Sequence, residues 1–330
     1  MRPLISIIIP SYNSSTTLKK CLDSIFQSRY KNFEVIVVDD NSKDYSYRIA
    51  QEYPCKLIHL PQRSGPAKAR NTGVRIAEGQ ILVFLDSDCV VDRDWLKNTI
   101  RNFKIYNVGA TASQYRSSLN KNFISLFAFY ELLYRERKFD RFVNTAPSCN
   151  FACKKGIFEE IGGFSEGFKH ASEDLDFSYR LGKITRILWD PSISVAHYFR
   201  DKIGGYIKQQ FNSSRDNVYL FIKHPELLLI DTHEDKTNYL EIISTVIFFI
   251  FIPLYILKLV SLIILLIPLL LILMLNINFI SFVSKKENIW YSIKSIFLIY
   301  LRNFIWLLGI LAGLFREIVK IAGVKNVRIC

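Results

Sequence analysis

The sequence predicts an α/β protein: a mixed, mostly parallel sheet flanked by helices, followed by helices that enter a membrane. Three observations point there. Ile81-Leu82-Val83-Phe84-Leu85 is a short apolar run with no polar face, which fits a strand buried on both sides, and it ends in Asp86-Ser87-Asp88. Ahead of it, strand-like and helix-like runs alternate from Leu4 onward, the pattern of parallel βαβ units. Far downstream, Ile242 to Leu275 holds one charge, Lys258, in 34 residues, which is a membrane signature.

Leu4 to Ile9 is the first strand, stopped by Pro10-Ser11-Tyr12-Asn13. It is too short for a signal peptide and lacks a small-residue cleavage site. Ser14, Ser15 or Thr16 can cap a helix to about Ser28, with Leu18, Cys21, Leu22 and Ile25 on one face. A second strand, Phe33 to Val38, ends in Asp39-Asp40-Asn41-Ser42. A helix from Ser46 to Tyr53 and a strand from Lys56 to His59 lead into Arg63-Ser64-Gly65-Pro66-Ala67-Lys68-Ala69-Arg70-Asn71-Thr72-Gly73. That Gly-Pro turn before a helix offers backbone N–H groups, with Lys68 or Arg70, to an anion; an ordinary helix start with surface cations fits equally.

Open α/β sheets bind ligands outside the carboxyl ends of their strands. There Asp86-Ser87-Asp88 offers hard oxygen ligands to a divalent cation, although a lone Asp-x-Asp also suits a solvated acidic turn. Trp95 to about Tyr106 is a helix. Phe123 to Phe142, aromatic and carrying Arg135, Arg137, Lys138 and Arg141, is another, which can lie on a membrane surface or pack on the sheet; packing on the sheet is the expectation. After Gly162-Gly163-Phe164, Ser172 is a candidate N-cap that puts Glu173, Asp174 and Asp176 in a first helical turn, where dipole stabilisation alone would account for them.

The formal charge is +13, from 43 basic and 30 acidic side chains. From Ile277 to Cys330 eight Lys or Arg face only Glu287 and Glu317, a balance of +6. Basic residues beside membrane segments favour the cytoplasmic face and anionic lipid. No nucleic-acid motif accompanies the charge, so membrane lipid is the expected partner and nucleic acid is not. No Gly-x-Gly-x-x-Gly follows the first strand, which excludes a nicotinamide dehydrogenase. Six cysteines show neither a Cys-x-x-Cys framework nor zinc spacing, so reduced thiols in a cytosolic compartment are expected.

One helix over Ile242 to Leu275 would be about 51 Å long against a hydrocarbon core of about 30 Å. A hairpin over 240–276 is therefore expected, turning at Lys258, with Pro253 and Pro268 as kinks and Lys285 and Lys286 back on the cytoplasmic side. Residues 277–330 form a basic segment and tail. Within them Ile289 to Phe315, with Lys294, Arg302, Trp290 and Trp306, suits an amphipathic or re-entrant helix better than a clean span. Gly309-x-x-x-Gly313 offers a close helix contact.

Taken in order, Ser6-Ile7-Ile8-Ile9-Pro10-Ser11-Tyr12-Asn13, Val35-Ile36-Val37-Val38-Asp39-Asp40-Asn41-Ser42, Ala69-Arg70-Asn71-Thr72-Gly73 and Phe84-Leu85-Asp86-Ser87-Asp88 resemble the nucleotide-binding half of family 2 glycosyltransferases. The resemblance implies a GT-A fold over residues 1–239, with a nucleotide-binding half at 1–110 and an acceptor-binding half at 111–239. It implies an inverting transfer of sugar from a nucleotide diphosphate sugar, a UDP-sugar by family habit. The nucleobase would lie near Pro10, Tyr12 and Asp39, with Arg70 close to the nucleotide and Asp86 on the ribose side. Asp88 would bind Mg²⁺ or Mn²⁺ bridging the diphosphate. Lys154 and Lys155 match the family's basic pair, but Ser148 and Cys149 stand where glycine is expected.

The resemblance also points to Asp174 as the catalytic base, with Glu173 supporting the loop or the acceptor. A helix N-terminus favours the ionised carboxylate, so an ordinary pKa is expected. His197 reads as a further metal ligand, a diphosphate contact or a structural histidine. Tyr206 to Arg215 only loosely resembles the Gln-x-x-Arg-Trp element of processive synthases, yet leaves Gln210 and Arg215 as acceptor or diphosphate contacts. The expected acceptor is lipid-linked or a glycan in assembly at the cytoplasmic face of the membrane. A polyprenyl-phosphate sugar synthase and a noncatalytic nucleotide-sugar-binding scaffold are the rival readings.

Overall fold

The period-two alternation of the first strand divides the core in two. In β1 (Ile5–Ser11), Ile5, Ile7 and Ile9 face one apolar cluster and Ile8 the other, and all four are fully buried. A strand buried on both faces needs helices on both sides of its sheet. The computed structural model, which describes residues 3–168, 170–228 and 237–322, supplies them.

The chain runs through α1 (Leu18–Phe26), β2 (Phe33–Asp39), α2 (Ser46–Gln51), β3 (Lys56–His59), α3 (Pro66–Arg75), β4 (Ile81–Leu85), β5 (Cys89–Val90) and α4 (Trp95–Tyr106). It continues with β6 (Ala110–Ala112), β7 (Tyr115–Ser118), α5 (Phe123–Glu136), β8 (Phe142–Val143), β9 (Asn150–Lys154), α6 (Lys155–Glu160) and α7 (Glu173–Gly182). Next come β10 (Ile187–Trp189), β11 (Val195–His197), α8 (Ile203–Lys223), α9 (Thr237–Ile256), α10 (Leu262–Leu275), α11 (Ile277–Lys286) and α12 (Ile289–Ile321).

Two compact units result: residues Met1–Lys121 with Glu136–Phe199, and Asn122–Arg135 with Arg200–Cys330. The first holds an eight-stranded sheet in the order β3-β2-β1-β4-β9-β6-β10-β8 and a small sheet in the order β5-β11-β7. In the large sheet β3, β2, β1 and β4 are mutually parallel, and β10 is parallel to β6. β9 runs antiparallel to both β4 and β6, and β8 antiparallel to β10. The sheet is thus mixed and mostly parallel, as expected. α1 contributes Leu18, Leu22 and Ile25 to one cluster, and α3 contributes Ala67, Ala69 and Val74 to the other.

The second unit is helical. α9 and α12 are each long and apolar enough to cross a membrane, and α10 with α11 qualifies only as a pair bent by 50°. The chain breaks between α9 and α10 at Lys258, whose φ of 59° is left-handed. One expectation is corrected. The predicted helix over Phe123 to Phe142 ends at Glu136, and α5 belongs to this helical unit rather than to the sheet. Its Phe127 meets Tyr206 of α8 and Phe279 of α11, and Tyr130 donates to Glu287. An apolar stripe specifies that a face must be covered, not what covers it.

The turn from α3 into β4 crosses β1 at Gly79, whose N–H donates to Ser6 Oγ at 2.8 Å. A Cβ there would stand 2.5 Å from Ser6 N and 2.8 Å from the Ile5 carbonyl carbon, both backbone atoms. Gly79→Ala should therefore lower the thermal unfolding midpoint, at a cost of about 1–3 kcal/mol. Gly156→Ala, where a Cβ meets nothing within 4 Å, should not lower it.

Candidate active site

Parallel pairing carries the polar residues of three strands to one edge. Ser11 stands opposite Asp39 in the β1–β2 register, and Ile8 opposite Phe84 in β1–β4, so Tyr12, Asp39-Asp40 and Asp86-Ser87-Asp88 emerge together. β9 runs the other way. Its register, Leu85 opposite Asn150 and Ile81 opposite Lys154, delivers Ser148 and Cys149 to the same edge but Lys154 and Lys155 to the far one. There Lys155 Nζ donates to the Ala77 carbonyl at 2.7 Å. The basic pair is therefore not part of this site.

At the β2 side, Asp39 is buried. Its Oδ2 accepts from Ser42 N at 3.1 Å and pairs with His59 Nδ1 at 2.8 Å, while Oδ1 is enclosed without a hydrogen-bond partner among the described residues. Pro10 is half-buried beside Val38. Tyr12 is exposed, and the Arg63 guanidinium lies 4.2 Å above its ring.

The start of α3 is not an open anion site. Asp40 fills it, accepting from Ser64 N at 2.6 Å and Gly65 N at 2.8 Å. Gly65, at φ 90°, adopts a conformation that a side chain would strain. Lys68 is paired with Glu166 at 3.0 Å.

Arg70 is buried, and its guanidinium joins two motifs: Nη2 to Asp86 Oδ1 at 2.8 Å and Nη1 to Glu173 Oε1 at 2.7 Å. Next to it, Asn71 holds the backbone of Phe164, donating to its carbonyl at 2.9 Å and accepting from its N–H at 3.0 Å. Phe164 in turn stacks on Phe177 of α7, centroids 4.1 Å apart, and meets Phe84 of β4 edge-on at 5.0 Å. These contacts dock the start of α7 beside the Asp86-Ser87-Asp88 turn.

Two expectations about that helix start are corrected. Ser172 occupies the N-cap position but at a left-handed φ of 70° and with no side-chain cap bond, so it turns the chain without capping it. Asp176 lies in the first turn as expected, fully buried and paired with Arg180, which also donates to the carbonyls of Ile161 and Gly163. Asp174 lines the edge half-buried, its Oδ1 accepting from Leu175 N at 2.9 Å and its Oδ2 from Ser148 N at 3.4 Å. The expected ordinary pKa does not hold. Desolvation among its neighbours and the adjacent Glu173 carboxylate raise it from 3.8 to about 7, against the lowering pull of Arg70.

Beyond the turn, β11 pairs antiparallel with β5, setting His197 opposite Cys89. His197 Nε2 lies 3.1 Å from Asp88 Oδ1, and the Tyr198 N–H donates to the Asp88 carbonyl at 2.9 Å. The candidate ligand atoms of Asp88, Cys89 and His197 all fall within 4.8 Å of one another. Carboxylate and imidazole suit a divalent cation such as Mn²⁺, whereas the thiol, which donates to the Cys149 carbonyl at 3.6 Å, suits a softer one.

Sequence reasoning named Asp39, Arg70, Asp86, Asp88, Asp174 and His197, and the fold brings their strands and helix starts to one edge. It missed His59, Arg63 and Asn71; the signals were the end of a predicted strand for His59 and a motif already singled out for the other two. Gln210 and Arg215 are engaged inside the helical unit, by Trp306 Nε1 at 2.7 Å and Asp216 at 3.1 Å. Two surface hollows lie elsewhere, one lined by Arg29, Asp92 and Trp95 and one by Asn71, Lys155 and Phe158; neither includes Asp39, Asp88 or Asp174.

Two tests follow from this geometry. Arg70→Met leaves Glu173 buried without a cation and should lower the unfolding midpoint, at a cost of roughly 3–5 kcal/mol. For Asp174 the unfolded chain releases its proton near 3.8 and the native state near 7, so native stability falls as pH rises through that window. In denaturant titrations across that range, Asp174→Asn should flatten the slope, exceeding the parent above the window and matching it below.

Residues 6–162 match the family model described as glycosyl transferase family 2. The pre-mycofactocin glycosyltransferase of Mycobacterium tuberculosis is 27% identical over 233 residues, 67% of this chain and 48% of that protein, so the chain spans about half the length of this relative. Glycosyltransferase GlyG of Streptococcus pneumoniae is 25% identical over 68% of the chain and 80% of its own length. Among solved structures, the mannosyltransferase PcManGT from Pyrobaculum calidifontis, in complex with GDP-Man and Mn²⁺, superposes with a TM-score of 0.60 at 18% identity, covering 96% of this chain and 88% of that one. The fold is the GT-A fold, and residues 6–162 carry the match to glycosyltransferase family 2.

Proposed function

We propose that the chain is an inverting, metal-dependent glycosyltransferase that moves a sugar from a nucleotide diphosphate sugar, a UDP-sugar, to a lipid-linked or glycan acceptor at the cytoplasmic face of a membrane. The observation that carries the reading is the Arg70 bridge. One guanidinium binds Asp86, two residues before Asp88, and Glu173, one before Asp174, which ties the proposed donor turn to the start of the proposed base helix. The nucleotide sugars in PcManGT with GDP-Man and in S. aureus TarS with UDP-GlcNAc, the latter at a TM-score of 0.51, support the donor class.

The enclosed Asp39 Oδ1 suits an N–H donor from a nucleobase, which would lie against Tyr12 and Pro10 with Arg63 closing the outer side. Asp86, part-exposed while paired with Arg70, can accept from a ribose hydroxyl. Asp88 and His197 would hold Mg²⁺ or Mn²⁺, which when bound neutralises charge growing on the departing diphosphate. Asp174 takes the acceptor hydroxyl's proton as that oxygen attacks C1 from the side opposite the diphosphate. A base that releases its proton near 7 must first be ionised, so transfer rises with pH through that value.

A thermal-shift screen of nucleotide sugars should find one donor that stabilises the protein only with Mn²⁺, and Asp88→Ala should abolish that stabilisation; stabilisation that persists in the variant removes Asp88 from the metal site. Asp174→Asn should keep donor binding and lose about 10²–10⁴ in transfer rate. Unimpaired transfer in that variant would instead indicate an acceptor already ionised, such as a lipid phosphate.

A further inference from the structure

We infer that α12, although long and apolar enough to cross a membrane, lies in the plane of the membrane interface, one face in lipid and the other on α8 and the mouth of α9. The inference rests on the reading that the α9–α10 hairpin enters the membrane.

The helix has two unlike faces. Phe297, Phe304, Leu308, Leu311, Phe315 and Ile318 recur at intervals of three, four or seven residues, all exposed and with no charge among them. The opposite stripe, Ser292, Ser295, Arg302, Gly309, Gly313 and Glu317, is buried. A helix inside a bilayer has no reason to sort its residues this way unless one side meets protein and the other lipid.

The protein on the buried side is too polar for hydrocarbon. α8 and α12 run side by side in the same direction: Gln210 accepts from Trp306 at 2.7 Å, Asp216 pairs with Arg316 at 2.8 Å, and Tyr219 lies under Lys320 at 5.0 Å. Gly309 and Gly313 permit the approach, since a Cβ on either would stand 1.9 Å from Ser214 Oγ or 2.6 Å from the Arg215 carbonyl. α8 carries Lys208, Arg215, Asp216 and Lys223. It cannot sit in the bilayer core at tolerable cost, so neither can the stretch of α12 from 306 to 320 that it lines. The 17 residues left, Ile289 to Ile305, would reach only about 25 Å, short of a core of about 30 Å.

The middle of α12 fixes the depth. Arg302 pairs with Glu131 of α5 and, at 2.5 Å, with Glu241, and Asn303 donates to Glu241 at 2.6 Å. Glu241 belongs to the first turns of α9, where that helix begins. A spanning α12 would put its midpoint, and this acid, at the bilayer centre. Instead Phe304 reaches Phe249, two turns further along α9, and Tyr300 donates to the Leu269 carbonyl of α10 at 2.7 Å. The apolar stripe thus points the way the hairpin goes, continuous with its lipid-facing surface.

The test places spin labels on cysteines introduced at Phe304, Leu311 and Ile318 of the full chain in vesicles, and Lys258→Cys, Lys294→Cys and Lys320→Cys for impermeant maleimide, all in a Cys55→Ser, Cys330→Ser background, the other native cysteines being buried. An in-plane helix gives the three spin labels one depth, and residues 294 and 320 react from the same side. A spanning helix changes depth by about 21 Å from 304 to 318 and puts 294 and 320 on opposite sides, which overturns the inference. Lys258→Cys reports the hairpin separately: reaction from the same side as 294 sinks the hairpin reading instead.

Discussion

A buried guanidinium has to be paired, and in this fold that requirement brings distant motifs together. Arg70 has its partners 16 and 103 residues away, Asp86 and Glu173. Desolvating an unpaired cation costs several kcal/mol, so a conformation that buries Arg70 without either acid is strongly disfavoured. The neighbouring contacts work in the same direction. Asn71 fastens the backbone of Phe164, Phe164 stacks on Phe177, and Arg180 ties Asp176 to the preceding loop, so the start of α7 is held at several points around the ion pair. Ion pairing selects which groups meet, and the aromatic cluster supplies the apolar burial that makes the meeting stable.

The same arrangement explains why the pKa of Asp174 is raised to about 7. One cation serves Asp86 and Glu173, leaving a third carboxylate beside them with the charge already spent. A helix N-terminus adds a favourable but small term, of order 1 kcal/mol near solvent. Desolvation and a like charge at close range are larger and opposite. A general base is most useful when its pKa lies near the working pH. Under the proposed mechanism, the crowding that costs stability at neutral pH is what poises the group.

What the sequence made legible was local. Buried strands showed as apolar runs, strand ends as clusters of Asp and Asn, and helix starts as Gly-Pro or acidic turns, because period and turn chemistry are written in neighbouring residues. The edge that gathers Asp39, Asp86 and Asp88 follows from parallel pairing alone. What could not be read depended on long-range partners. Ser172 looked like a cap because its type is right, yet its left-handed backbone serves a turn. Gly65-Pro66 looked open to an anion because nothing nearby announces that Asp40, 25 residues earlier, fills it. Asp174 looked ordinary because the Arg70 bridge that crowds it joins residues 103 apart.

The helical unit repeats the lesson. Gly309-x-x-x-Gly313 signals close backbone approach, and in an apolar segment it is readily taken as contact between two spans. Here the approach is real, but the helix that fills it is α8, with Lys, Arg and Asp along its length. The motif reports distance between backbones and says nothing of the medium around them. Arg302 and Glu241 supply that missing information. With α12 in the interface as inferred, a charge pair at the beginning of an apolar helix marks where hydrocarbon starts, because hydration remains within reach of one end only. Hydropathy averaged along α12 hides this, since an average over a helix cannot distinguish a uniform apolar surface from one sorted into two faces.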